Sequence, residues 1–142
     1  MTLELHATPE EVMRAVETLQ AFGGQRGLGA KELFGLALAL EECGSNIVNH
    51  ALQRDARQKF QVLLEHDAGS FTIELRDGGP AFDPTAAAEP MAPPEDNDLP
   101  GGWGLELVRR YIDEVHYARE GGENVLRLTK RLGVTAGEDS FC

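Results

Sequence analysis

Residues 41–50 read EECGSNIVNH. On a helix turning about 100° per residue, Glu42, Asn46 and Asn49 fall within roughly 60° of one another. Leu36, Leu40, Ile47 and Ala51 point the other way, so one face can pack while the other presents a carboxylate and two amides along a line, followed by His50. Asn competes with the helix backbone for hydrogen bonds, so helix stability did not select two of them so close together. A carboxylate in such a line is suited to taking or orienting a proton. The plain alternative is a solvated helix face. A second group, Arg76-Asp77-Gly78-Gly79-Pro80-Ala81-Phe82-Asp83, stands where an alternating segment ends. There an Asp followed by Gly-Gly turns the chain tightly and offers a fixed acceptor, although a simple turn uses the same residues. A third, Gly101-Gly102-Trp103-Gly104-Leu105, leads into the amphipathic stretch LELVRRYI. Glycines opening a helix let its first N–H groups approach a phosphate, whereas a capping linker is the bland reading.

The elements that must position these groups follow from pattern. TLELHA at residues 2–7 alternates as a strand, and Thr8, Pro9 and Glu11 resemble a capping box. A helix is predicted from Pro9 to Phe22 and a second from Ala30 to Leu52. KFQVLLEHD and SFTIELRD read as a hairpin turning at Ala68-Gly69. The following stretch, residues 78–102, holds six prolines, four glycines and no basic residue. A loop that long in a compact domain is expected only where it is a functional lid. A helix from Gly104 to Asp113 and strands EVHYARE and ENVLRLTKR, turning at Gly121-Gly122, complete the domain, and residues 134–142 are expected to be a flexible tail. This order, with hairpin-joined strands and segregated helices, predicts an α+β two-layer sandwich: a mixed, mainly antiparallel sheet covered by helices.

The chain has 142 residues, which suits one domain, here residues 1–133. Its 24 acidic and 13 basic residues give a net charge of −11. That disfavours nucleic-acid backbone binding, which needs clustered Lys and Arg. A phosphorylated ligand must then be held by backbone N–H groups or a metal rather than by a lysine cage. No apolar run reaches the ~18 residues of a membrane span, and the N-terminus lacks the pattern of a signal peptide. Cys43 and Cys142 form no metal or redox motif. A reducing, cytoplasmic location is expected.

Taken together and in order, these groups closely resemble the GHKL (Bergerat-fold) ATP-binding family, within it the small anti-sigma serine kinases of bacterial partner switching. The resemblance covers residues 2–132 and rests on Glu42, Asn46 and His50, on DGGPAFDP, on GGWGLELVRRYIDEV and on VLRLTKRL. It implies that Asn46 ligates Mg²⁺ through its amide oxygen, with Asn49 and His50 lining the phosphate region. Asp77 accepts the adenine amine, supported by Thr129, and Gly79, Ala81 and Phe82 line the base. Gly102 and Gly104 let lid backbone and helix N-terminus hold the phosphates beneath an ATP lid at 84–101, with Gly101, Trp103 and Leu105 also at the nucleotide. Glu42 is the base that activates a protein hydroxyl. Ala81 departs from the family, which usually has Gly there. The implied protein is a homodimer that phosphorylates an anti-anti-sigma partner of the STAS class and sequesters a sigma factor, without touching nucleic acid or membrane directly. The rival readings are a catalytically silent ATP-regulated switch and, less favoured by length, the catalytic domain of a histidine kinase or of a larger ATPase.

Overall fold

The computed structural model describes residues 1–85 and 101–132, side chains of 101–105 excepted. Residues 86–100 of the expected 84–101 lid, and the tail from 133, lie outside the described residues. Strand β1 (Thr2–His6) leads into helix α1 (Pro9–Gln25). Thr8 is its N-cap, accepting from the Glu11 N–H at 3.2 Å. The Glu11 carboxylate reaches back to the N–H of His6 at 3.1 Å, two residues further than a capping box requires. The helix runs three residues past the expected Phe22 end. Arg26 then closes it, with its N–H on the Gly23 carbonyl and its guanidinium over the Phe22 ring at 4.4 Å.

Helix α2 spans Ala30–Asn46, and a π-turn, Ile47–Ala51, continues it. A single helix through Leu52 was expected; the path is continuous but the hydrogen bonding widens, with Leu52 N–H donating to the Ile47 carbonyl at 2.8 Å. This wider turn keeps Ile47, Val48, Ala51 and Leu52 buried while leaving Asn49 exposed. Strands β2 (Lys59–His66) and β3 (Ser70–Asp77) form the hairpin, and helix α3 (Gly101–Tyr111) begins three residues earlier than expected. Strands β4 (Glu114–Glu120) and β5 (Glu123–Arg131) close the chain around Gly121 and Gly122, both at positive φ.

The sheet runs β1-β2-β3-β5-β4. Every pairing among the described residues is antiparallel, which corrects the expectation of a mixed sheet. One face carries Leu5, Phe60, Val62, Leu64, Phe71, Ile73, Leu75, Leu126 and Leu128, all buried beneath the helices. That two-residue repeat produces the sandwich: each strand presents alternate side chains to the helical layer. Gly35 lets α3 approach α2, since a Cβ there would lie 2.8 Å from Cβ of Tyr111. Across the sheet, on the face without helices, Glu74 is nevertheless buried between Arg76 and Arg127.

Candidate active site

The core face of the sheet ends in polar side chains. Asp77 is the last residue of β3, one step past Leu75 on the same face, and its register partner on β5 is Asn124. Both are buried. Asn124 makes five hydrogen bonds. Its Nδ2 donates to Asp77 Oδ1 at 2.9 Å and to the Pro80 carbonyl at 2.8 Å. Its Oδ1 accepts from Phe82 N–H at 3.0 Å, Arg119 Nη1 at 3.1 Å and the Tyr117 hydroxyl. Arg119 also donates to the Gly79 carbonyl at 2.8 Å. One amide therefore joins β3, β4, β5 and the turn 79–82. Asp77 Oδ1 is filled by Asn124 and by Gly79 N–H at 2.9 Å, so Oδ2 is the oxygen left to meet a ligand.

Gly79 could not be another residue without movement: a Cβ would meet the Ala51 carbonyl at 2.6 Å. The turn thus packs directly on the π-turn. Phe82 follows, stacked on His50 with centroids 5.8 Å apart and planes 22° apart. Ala81 is exposed and Pro84 buried. Beneath them Asn46, Asp77, Asn124 and Tyr117 share a cavity of about 20 Å³ open to a water-sized sphere. That is room for one water, with polar partners enough to hold it.

Glu42 and Asn46 stand one turn apart on α2. Asn46 is buried, lines this cavity, and has no hydrogen-bond partner among the described residues, which is uncommon for a buried amide. Glu42 is half-buried and has no cationic partner among the described residues. Burial, and then the neighbouring Glu41 carboxylate, push its pKa above the ordinary carboxylate value. Cys43 between them is inert: burial, then Glu42, push its thiol up to about 12. The structure brings together Asn46, Asp77, Gly79 and Phe82, with His50 reaching them through Phe82. Asn49 is turned outward by the π-turn and accepts from Arg54 Nε at 2.9 Å. The backbone of 101–105 forms the first turns of α3, while the side chains of Trp103 and Leu105 lie outside the described residues.

Thr129 is a correction. It pairs with Thr72 and Glu114, five residues along β5 from Asn124 and on the opposite face of the sheet. At ~3.4 Å per residue that is roughly 17 Å from the Asp77 register, too far to support its carboxylate. Asn124 stands where Thr129 was expected to act. Its signal in the sequence was a polar residue at an inward strand position whose next inward residues are Leu126 and Leu128.

Among the described residues no three His, Cys, Asp or Glu side chains gather as a metal site, and no helix there is long and apolar enough to cross a membrane. Serine/threonine-protein kinase BtrW of Bordetella bronchiseptica is 33% identical over 129 residues, 90% of this chain and 91% of that protein. Serine-protein kinase RsbW of Listeria monocytogenes is 26% identical over 147 residues, 99% of this chain and 92% of that protein. The solved RsbU and RsbW domains of Rv1364c from Mycobacterium tuberculosis share the fold, with TM-score 0.62 at 19% identity. That match covers 93% of this chain and 32% of the other. The family model of the histidine kinase-like ATPase domain matches residues 5–130, and the chain belongs to that family.

Proposed function

We propose that this chain is a cytoplasmic, homodimeric anti-sigma factor that uses Mg-ATP to phosphorylate a serine or threonine of a STAS-type anti-anti-sigma partner. The observation that carries the reading is the pair Glu42 and Asn46. A half-buried carboxylate without a cation and a buried amide without a partner sit one turn apart, beside an acceptor held ready at Asp77. Asp77 Oδ2, left free while Asn124 and Gly79 occupy Oδ1, accepts the adenine amine. Asn46 Oδ1 is a neutral hard donor that would hold a Mg²⁺, and such an ion would supply charge neutralisation for the phosphates. Glu42 takes the proton of the partner's hydroxyl while its oxygen bonds the γ-phosphorus and the bond to the ADP oxygen breaks. A carboxyl with a raised pKa is the better base for this step. Sequestration of a sigma factor uses surface outside this site, and the acidic chain suits a basic partner.

The test uses immobilised protein to capture partners from native lysate, then Mg-ATP, then the intact mass of what is released. The wild type is expected to release a small protein heavier by one phosphoryl group, and Glu42→Gln to leave that protein unmodified. Release without a mass change, equal in both, overturns the kinase and leaves an ATP-regulated switch.

A further inference from the structure

We propose that Arg54 supplies the positive charge of the phosphate subsite and positions Asn49 within it, an inference that rests on the nucleotide reading above. The chain carries no Lys or Arg from Glu32 to Gln53, nor from Gly78 to Val108. Arg54 is therefore the cation nearest in sequence to Asn46 on its C-terminal side. The next, Arg57, is consumed by Asp55, with Nε at 3.0 Å and Nη2 at 3.2 Å on the two carboxylate oxygens. Arg54 meets no carboxylate among the described residues; its one side-chain bond is to a neutral amide, Asn49 Oδ1.

Gln53 and Arg54 stand in succession at φ 54° and 60°, a region that long side chains rarely adopt. The reversal is fixed by Arg54 N–H on the Val48 carbonyl at 2.6 Å. It folds the guanidinium back onto the outer side of the π-turn. Nothing in the core requires this, since both residues are exposed.

Its consequence is chemical. With Oδ1 of Asn49 held by Nε, the amide keeps its NH₂ for a ligand. Guanidinium and amide together present donors and no acceptor, which suits an anion. The patch adjoins the nucleotide pocket, because His50, next to Asn49, stacks on Phe82 above Asp77. In a chain of net charge −11 this supplies the cation that the glycine segments lack.

The experiment titrates MgATP, MgADP and adenosine into wild type, Arg54→Gly, Asn49→Ala and the double variant. Thermal melting is recorded alongside. Glycine accepts positive φ, so Arg54→Gly is expected to melt no lower than wild type. It should bind MgATP about tenfold more weakly, the size of one lost charged hydrogen bond, MgADP less so, and adenosine equally well. The double variant should lose no more than Arg54→Gly alone. Equal losses for all three ligands, or no loss, overturn the inference while leaving the nucleotide site standing. A wild type that binds none of the three overturns the nucleotide reading itself.

Discussion

Glu42, the proposed base, would set stability against activity within one side chain. Its folded pKa is raised, chiefly by burial, so its protonated form favours the fold. That contribution is full below the unfolded carboxyl pKa and is lost as pH rises through the folded value. Glu42→Gln should therefore melt higher than wild type at pH 7 while losing phosphoryl transfer and keeping ATP affinity; a melting curve and a phosphorylation assay read both. The transfer rate of wild type should climb with pH through a limb lying above the ordinary Glu range, a limb that the Gln variant lacks. Asn124 makes a different prediction. Asn124→Ala strips Asp77 of a donor and frees the 79–82 turn, so nucleotide affinity should fall about tenfold or more by titration. Glu42, Asn46 and Asp77 could be proposed from the sequence because their spacing is local to one helix or one strand end. The partner of Asp77 was not: choosing Asn124 over Thr129 needs the β3–β5 register, which joins residues 47 apart.

At the scale of elements, hydrophobic periodicity located all eight helices and strands among the described residues, because each turns apolar side chains toward the core. Boundaries were harder. The π-turn gives no signal in an alternation of apolar and polar residues, since Ile47, Val48, Ala51 and Leu52 are apolar at α-helical spacing too. The start of α3 at Gly101 hides behind glycines that read as loop. The α2–α3 contact depends on the absence of one side chain. Gly35→Val should push α3 off α2 against Tyr111, costing about 1–3 kcal/mol of stability by denaturant titration. ATP affinity should fall with it, because α3 opens with the candidate phosphate-binding glycines.

For the whole molecule, alternation along the strands was enough to predict two layers, but it left the open face unexplained. There Glu74 is buried; burial pushes its carboxyl up, and Arg76 and then Arg127 outweigh that and hold it below the ordinary value. Its stabilising contribution is thus present above the unfolded carboxyl pKa and lost as pH falls through the lowered one. Glu74→Gln should cost ~2 kcal/mol at pH 7, and the gap from wild type should narrow as melting is repeated toward pH 4 and below. The strand order has a consequence in time. Strand β5 leaves the ribosome after the other four described strands, yet it lies between β3 and β4. Until it emerges, β3 has one neighbour and β4 has none, and loop closure over some fifty residues must precede their pairing. Because Asn124 lies near the start of that strand, the pocket is assembled last, so a nascent chain halted short of it is expected not to engage nucleotide.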